Sequence, residues 1–249
     1  MTHRKPERSG GPIWLFGRHA VQAALANPTR IVRRYWAVDP SAAPTAPGRE
    51  RPEKVDRGRI DTVLPKGSVH QGLALQVDAL PEHELETACA RLPGRPNLVV
   101  ALDQITDPHN LGAILRSAAA FGARAVVTTE RHAPEANAVV AKAASGALDI
   151  VPLVRVGNLA RAMEQMKGLG YWLIGLADSG AKSLAETDLG GDVVLVLGAE
   201  GEGLRRLTAE RCDALARLPT DPRLPALNVS NAAAVALYEL TRRSSLSSG

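Results

Sequence analysis

The second half of the chain alternates short, almost continuously apolar segments with amphipathic segments of helical periodicity. The apolar segments are 97–105, 124–129, 151–156, 171–177 and 192–200, and the helical ones are 110–123, 135–148, 158–170 and 227–243. A strand that is apolar on both faces has to be covered on both sides, which is typical of a parallel sheet between helices. This order of elements predicts an α/β domain with a parallel sheet, which we expect over residues 97–249.

The first part of the chain has fewer segments of regular structure. Helices are predicted over 17–28 and 83–92, and strands over 31–38 and 70–80. The sequence GRP at 94–96 is a plausible boundary between this part and the α/β domain. We therefore predict two domains.

Two stretches of the first part look too polar to form a core. Residues 1–12 are basic and contain Gly and Pro, which predicts a disordered tail. Residues 40–59 are rich in Pro, Ala and Arg and lack the apolar content needed for packing. We expect a flexible basic insertion there, inside a first domain over residues 13–93.

The positive charge of the chain is concentrated in its first part. Residues 1–95 hold 15 Lys and Arg against 10 Asp and Glu, whereas the remainder holds 15 against 16. Such asymmetry suggests a polyanionic partner, although a solvated basic surface explains it equally well. Arg30, Arg33 and Arg34 flank Tyr35 and Trp36, which suits phosphate contact with base stacking, or else core aromatics with solvated arginines.

Several protein classes are excluded by composition. The chain has no run of 18 apolar residues, and no apolar run follows its basic N-terminus, so we expect neither a membrane span nor a secretory signal. Cys89 and Cys212 are its only cysteines and form no C-x-x-C, which argues against a disulfide framework and a zinc site. We expect a cytoplasmic protein without a bound metal.

Three segments that follow predicted strands carry chemically informative side chains. They are 103–123 with Asn110 and Arg116, 195–204 with three glycines around Glu200, and 224–240 with Asn228, Ser230 and Asn231. Ligands of open α/β sheets bind at this end of the strands. Taken singly, Asn110 could be a helix cap, Arg116 a solvated residue and the glycines a turn. Capping explains only one of the three polar residues in the last segment.

Together these segments resemble the three signature motifs of the SpoU (TrmH-like) family of RNA ribose methyltransferases. The motifs stand here as N-x5-R at 110–116, GAEGEGL at 198–204 and LNVSNAAAVALYE at 227–239. Two further fragments, GRHAVQAAL (17–25) and HQGLALQV (70–77), resemble the ribosomal-protein-like RNA-binding domain of one bacterial branch. That branch methylates a guanosine of 23S rRNA.

The resemblance implies a fold and partners that composition alone cannot indicate. It implies a trefoil knot in the parallel-sheet methyltransferase domain, preceded by a small α+β RNA-binding domain. It also implies S-adenosylmethionine as the cofactor, ribosomal RNA as the substrate, and a homodimer. No glycines follow the first strand of the domain, at VVALDQITDP, which disfavours a dinucleotide-type methyltransferase.

The resemblance also implies roles for individual residues. The catalytic residues fall on Asn110, Arg116, Glu200 and Asn228. We expect Arg116 to engage the ribose hydroxyl and a phosphate, with Glu200 fixing Arg116 through a salt bridge. The residues expected to bind the cofactor are Gly198, Leu218, Leu227, Thr128 and Ser230. Many relatives carry Ser where this chain has Ala226, so no role is transferred to that position.

Three other functions stay open at this point. The same chemistry could act on tRNA or on another rRNA nucleotide. A non-catalytic RNA-binding factor of ribosome assembly could have kept the fold, although the intact motif residues disfavour it. A small-molecule enzyme fits poorly with the basic first part. The sequence leaves open the methylated nucleotide, the general base, and whether the substrate is naked rRNA or an assembly intermediate.

Overall fold

The first part of the chain forms a four-stranded sheet with three short helices. The computed structural model describes residues 11–94, 96–131, 133–136, 138–189, 191–221, 223 and 227–246, so residues 1–10 of the predicted tail lie outside it. The elements are β1 (Ile13–Phe16), α1 (Arg18–Ala26), β2 (Val32–Ala37), β3 (Glu53–Lys54), α2 (Arg57–Asp61), β4 (Leu73–Val77) and α3 (Leu85–Ala88). Their strand order is β1-β4-β2-β3.

The predicted strands of this part are confirmed, with shorter bounds. β4 pairs antiparallel with both β1 and β2, while β3 pairs parallel with β2. β4 begins only at Leu73 because Gln71 and Gly72 have φ angles of 54° and 77°, which a strand does not accommodate. The helix predicted over 83–92 shrinks to the four residues of α3.

The expectation of a flexible insertion over 40–59 is wrong for much of that segment. β3 joins the sheet, Ala43 and Val55 are buried, and the Tyr35 hydroxyl donates to the Pro44 carbonyl at 2.8 Å. The Arg49 guanidinium donates to the carbonyls of Leu25, Asn27 and Arg30. The segment packs with few apolar side chains because hydrogen bonds to backbone groups replace hydrophobic contacts there.

The second part is a seven-stranded sheet in which every strand pair is parallel. Its elements are β5 (Leu98–Leu102), α4 (Pro108–Ala120), β6 (Ala125–Thr129), α5 (Ala138–Ala144), a 3-10 turn (Ala147–Asp149), β7 (Leu153–Val156), α6 (Leu159–Gly168), β8 (Trp172–Leu176), β9 (Lys182–Ser183), β10 (Val193–Leu197), α7 (Arg206–Arg211), β11 (Ala214–Arg217) and α8 (Val229–Leu246). The order is β7-β6-β5-β10-β8-β11-β9. The predicted α/β domain with a parallel sheet is confirmed.

Helices cover both faces of this sheet, which explains its continuous apolar strands. In β5, Leu98, Val100 and Leu102 pack with α4, α5 and α8, whereas Val99 and Ala101 pack with α3 and α6. All five residues of β5, β6 and β10 are buried. Alternate side chains thus enter two cores, and a polar side chain on either face loses its contact with water.

A buried ion pair joins the first part of the chain to the second. The Arg30 guanidinium contacts both carboxylate oxygens of Asp149, at 2.7 and 2.9 Å, and each side chain is only 2% exposed. The Asn27 amide donates to the same carboxylate at 3.0 Å. Beside it, Gly146 lies so close to α1 that an added Cβ would stand 2.8 Å from the Cβ of Ala23. The two parts are therefore packed together at this junction.

We expect Asp149→Asn to lower the free energy of unfolding by about 3 kcal/mol, because it leaves the buried Arg30 charge without its counter-ion. Urea unfolding followed by circular dichroism measures this loss. The matched control is Glu210→Gln, which breaks the exposed Arg206–Glu210 pair on α7 and should cost less than about 0.5 kcal/mol. Equal losses in the two variants would contradict the role given to the junction.

No helix within the described residues is long and apolar enough to cross a lipid bilayer.

Candidate active site

A cavity of about 370 Å³ opens at the carboxyl ends of β8, β10 and β11. Its wall comes from four stretches of chain that converge at this edge of the sheet. They contribute Leu176 to Ser179 at the end of β8, the glycine-rich loop 198–204 after β10, Leu218 and Thr220 after β11, and Leu227, Val229 and Ala232 around the start of α8. The cavity lies where an open parallel sheet binds its ligands, and its volume suits a small organic molecule.

The glycine-rich loop approaches itself too closely for side chains. Ala199 and Gly203 exchange two backbone hydrogen bonds of 3.1 and 2.9 Å, which closes the loop into a narrow hairpin. A Cβ on Gly198 would stand 2.1 Å from the backbone carbon of Gly203. Gly201 and Gly203 have φ angles of 79° and 67°, in the left-handed region that glycine adopts without strain. Glycine at 198 is thus required by close approach.

Asn110, Glu200 and Asn228 form one hydrogen-bonded cluster. The Asn110 amide donates to Oε1 of Glu200 at 3.2 Å, and the Asn228 amide donates to Oδ1 of Asn110 at 3.0 Å and to the same Glu200 oxygen. The Val229 backbone N–H also donates to Oε1 of Glu200, at 3.2 Å. Three segments far apart in the sequence therefore meet at one carboxylate oxygen. Glu200 and Val229 also line the cavity, so the cluster adjoins it.

The helix-cap interpretation of Asn110 is wrong. α4 begins at Pro108 and is capped by Asp107, whose carboxylate accepts from the His109 N–H at 3.1 Å. Asn110 is a helical residue, 8% exposed, whose amide is committed to Glu200 and Asn228. Asn228 combines two roles, because its Oδ1 accepts from the Ser230 N–H at 2.9 Å at the start of α8.

The predicted salt bridge between Glu200 and Arg116 does not form. Arg116 is exposed on α4, and among the described residues no hydrogen bond or ion pair involves it. It lies six residues beyond Asn110, which puts its Cα about 9 Å further along the helix axis. Glu200 is held instead by Asn110, Asn228 and Val229. Arg116 is thus left free for a ligand.

Three of the five residues expected to bind the cofactor line the cavity, namely Gly198, Leu218 and Leu227. Thr128 and Ser230 are not among the residues that line it. Thr128 is the penultimate residue of β6, two strands away from β10, and its buried hydroxyl has no hydrogen-bond partner in the part of the chain described. The Ser230 hydroxyl donates to Oδ1 of Asn228 at 2.6 Å, so this side chain belongs to the start of α8. Ala226 lies outside the described residues.

The part of the cavity wall at the end of β8 was not predicted from the sequence. Leu176, Ala177, Asp178 and Ser179 line the cavity, as does Thr220. Gly180 explains how this stretch comes so near, since its Cβ would stand 2.6 Å from the backbone of Ala216. The Arg217 guanidinium also donates to the carbonyls of Gly180 and Ala181. Leu176 and Ala177 end the strand predicted over 171–177, and Asp178 and Ser179 follow it, which is the one signal that could have identified them.

Neither cysteine offers a nucleophile to this site. Burial raises the pKa of the Cys89 thiol to about 11 and that of the Cys212 thiol to about 12, so both stay protonated at neutral pH. Within the described ranges, no three His, Cys, Asp or Glu side chains are grouped so as to hold a metal ion. The polar side chains that the structure brings together beside the cavity are Asn110, Glu200 and Asn228.

Known proteins resemble the chain over almost its whole length. A 23S rRNA (guanosine-2′-O-)-methyltransferase RlmB of Pseudomonas aeruginosa is 41% identical over 240 residues, which cover 92% of this chain and 96% of that protein. The RlmB protein of Xanthomonas campestris pv. campestris is also 41% identical, with the same coverage.

Solved structures share the fold. The SpoU methyltransferase AviRb of Streptomyces viridochromogenes, in complex with the cofactor AdoMet, superposes with a TM-score of 0.76 at 23% identity, covering 94% of this chain and 90% of that one. An AdoMet-bound rRNA methyltransferase of Sinorhizobium meliloti gives 0.75 at 22% identity, covering 93% and 87%. The family model of the SpoU rRNA Methylase family matches residues 97–238. The chain therefore belongs to the SpoU rRNA methylase family.

Proposed function

We propose that the protein transfers a methyl group from S-adenosylmethionine to the ribose 2′-hydroxyl of a guanosine in 23S rRNA. The observation that carries this proposal is the cluster of Asn110, Glu200 and Asn228, which shares Glu200 with the cavity. The reaction is the one named for relatives about 40% identical over nearly the whole chain. Arg116, exposed and without a partner among the described residues, would supply the cation that an RNA backbone requires.

The cavity fits the cofactor in its chemistry. Gly198, Leu218 and Leu227 would hold it, together with the backbone of the glycine-rich loop and of Leu176 to Ser179. Apolar walls suit an adenine ring, and backbone N–H and C=O groups suit its polar edge. When bound, S-adenosylmethionine supplies a methyl group already activated on a sulfonium. The protein therefore has to orient and deprotonate the acceptor hydroxyl.

Arg116 is the residue that we assign to the acceptor ribose. A guanidinium presents a planar fork to phosphate oxygens and scarcely loses its proton in a protein. It would hold the phosphate beside the reacting ribose and stabilise the developing alkoxide, while phosphate or solvent takes the proton. Asn110 and Asn228 would hold the Glu200 carboxylate, and with it the glycine-rich loop, in position through their hydrogen bonds. Glu200 thus acts on the loop and not on Arg116.

Residues 13–93 would bind the RNA and residues 97–249 would catalyse the transfer. The first part has its own sheet and carries the basic surplus, which supports this division. Its aromatic residues are less available for base stacking than the sequence suggested. Trp36 is 4% exposed and donates to Glu53, and its ring lies at a tilt with its centroid 4.6 Å from that of Trp14. The Arg59 guanidinium lies over the same ring. The core interpretation of Trp36 is therefore correct, and exposed arginines are the better candidates for RNA contact.

We expect the affinity for rRNA to fall as salt is added, with Arg34 contributing to the slope. Arg34 is exposed, and no described residue pairs with it. Arg34→Ala should reduce the slope of log K against log salt by about one, the effect of one lost phosphate contact. Arg33→Ala is the matched control and should change the slope less, because Asp78 already neutralises Arg33 with contacts of 2.8 and 2.7 Å. A binding constant that is independent of salt would contradict the proposal that this surface contacts RNA phosphates.

A trefoil knot and a homodimer complete the proposal. The knot is supported by the close passage of Gly180 against Ala216, and by Arg243 of α8, which donates to the carbonyls of Leu184 and Thr187. The dimer is supported by exposed apolar side chains on α8, where Val235 is 49% and Tyr238 57% exposed. Light scattering after size exclusion measures the dimer. A bacterial rRNA substrate implies a cytoplasmic enzyme.

One experiment tests the reaction, the cofactor and the substrate together. The protein is incubated with labelled S-adenosylmethionine and RNA from cells that lack this ribose methylation, and the RNA is then digested to nucleosides. We expect label in 2′-O-methylguanosine from 23S rRNA. Label in another 2′-O-methyl nucleoside, or in tRNA, would support ribose methylation but reject a guanosine of 23S rRNA as its substrate. A protein that neither binds the cofactor nor transfers label would be a binding factor instead of an enzyme.

A further inference from the structure

We propose that Asp103 is a positioning residue of the methyl-transfer site and acts through the loop that carries Glu200. The proposal rests on the proposed function, since it gives Asp103 a part in the same reaction. Asp103 is the first residue after β5, and its side chain is 0% exposed. A carboxylate buried to this extent needs partners that compensate for its lost water. The groups that contact Asp103 identify the segment of chain that it positions.

Asp103 contacts both ends of the glycine-rich loop 198–204. Its backbone N–H donates at 2.8 Å to the carbonyl of Leu197, the residue before the loop. Its carboxylate accepts from the backbone N–H of Arg205, the residue after the loop, at 3.2 Å. The Arg205 guanidinium adds contacts of 2.7 Å through Nε and 2.6 Å through Nη2. One residue therefore sets the entry and the exit of the loop.

The loop transmits this constraint to Glu200. Between the two anchored ends, Ala199 and Gly203 exchange backbone hydrogen bonds of 3.1 and 2.9 Å, which tie the two arms of the hairpin to each other. Glu200 lies within that hairpin. A release of Arg205 would shift Gly203, then Ala199, and then the carboxylate that Asn110 and Asn228 contact. Shifts of about 1 Å matter for hydrogen bonds of this length.

Asp103 also marks the start of the segment that carries Asn110. The next residue, Gln104, has a φ of 60°, a left-handed conformation that is uncommon for a residue other than glycine. This turn redirects the chain from β5 towards Asp107, which caps α4. Asp103 thus stands where the segment of Asn110 leaves the sheet and where the loop of Glu200 is anchored. We infer that it fixes the distance between the two.

The test compares Asp103→Asn with the wild type in steady-state methylation of the unmodified rRNA. Asparagine keeps the size of the side chain but removes the charge that holds Arg205. We expect kcat to fall about 100-fold from the misplaced loop, while KM for RNA stays within about threefold. A purely structural role would lower the unfolding temperature and leave kcat per folded molecule unchanged.

A double-mutant comparison asks whether Asp103 acts through Glu200. In the Glu200→Gln background, measured by single turnover, Asp103→Asn should cost less than about threefold, because the carboxylate that it positions is already gone. Full additivity in the two backgrounds would overturn the proposal. Arg206→Gln is the matched control, since Arg206 is the neighbouring exposed arginine and pairs only with Glu210 among the described residues. It should retain wild-type turnover.

Arg205→Lys keeps the test decisive if Asp103→Asn does not fold. The Arg205 side chain is 51% exposed, so its replacement leaves the core intact. Lysine keeps the charge but loses the fork, and we expect kcat to fall on the order of tenfold. Wild-type turnover in Arg205→Lys or in Asp103→Asn would overturn the positioning role alone. A wild-type protein that methylates no RNA would overturn the proposed function and this inference together.

Discussion

Replacing Arg116 by alanine should reduce methyl transfer on the order of 1000-fold and leave cofactor binding nearly unchanged. The structure gives the reason for this split. Arg116 is exposed on α4 and has no partner among the described residues, so its loss removes no contact that holds the fold. It does not line the cavity either. What the variant loses is the guanidinium that would stabilise the reacting hydroxyl and the adjacent phosphate.

Single-turnover methylation and calorimetric titration of S-adenosylmethionine measure the two halves of this expectation. Arg116→Lys should recover only part of the rate, because an ammonium lacks the planar fork. Arg161→Ala is the matched control, since Arg161 is also an exposed helical arginine, but on α6 across the sheet from α4. Near-normal turnover in Arg116→Ala would remove Arg116 from the reaction.

The second large effect is expected for Gly198→Ala, which should weaken cofactor binding at least about 100-fold and abolish turnover. The new Cβ would lie 2.1 Å from a backbone carbon of Gly203, and a backbone atom cannot swing aside as a side-chain end does. The hairpin of the glycine-rich loop would have to open. Because this loop forms one wall of the cavity, the binding site and the position of Glu200 would change together.

Gly201→Ala is the matched control inside the same loop. Nothing lies within 4 Å of an added Cβ there, so the only cost is the left-handed φ of 79°, on the order of 1 kcal/mol. Titration of S-adenosylmethionine into the two variants separates clash from backbone strain. Similar affinities in Gly198→Ala and Gly201→Ala would show that the close approach at Gly198 does not shape the site.

The two variants probe different segments of the same site. Arg116 belongs to α4 and Gly198 to the loop after β10, and the cluster of Asn110, Glu200 and Asn228 connects these segments. We therefore expect Arg116→Ala to impair turnover alone. We expect Gly198→Ala to impair both cofactor binding and turnover. A comparison of the two variants distinguishes a residue that takes part in the reaction from one that shapes the cofactor cavity.

Local sequence patterns predicted the long strands and missed the short ones. β5, β6 and β10 are continuous apolar runs, because each is buried on both faces, and such a pattern is visible without knowledge of the neighbours. β3 and β9 have two residues each, too few to show a periodicity. β11, with four residues of which only Ala216 is buried, was also missed. These strands exist because a neighbouring strand supplies their hydrogen bonds.

The motif residues Asn110, Glu200 and Asn228 were identified from the sequence by resemblance to a family, and their meeting is a property of the fold. The partner of Glu200 was predicted to be Arg116, whereas the structure pairs it with two asparagines. A motif residue can be identified from the local sequence. Which side chain it contacts depends on which loops the sheet brings together at one edge.

The sequence by itself thus determined the α/β class, the order of the long elements and the identity of the motif residues, since burial periodicity and local spacing encode them. Only the tertiary structure decided the packing of residues 40–59, the Arg30–Asp149 junction and the anchoring of the loop by Asp103. The last two of these join charged groups far apart along the chain, 119 residues for Arg30 and Asp149 and 102 residues for Arg205 and Asp103. A buried charge is stable only beside its partner, and it is the fold that brings the partner within reach.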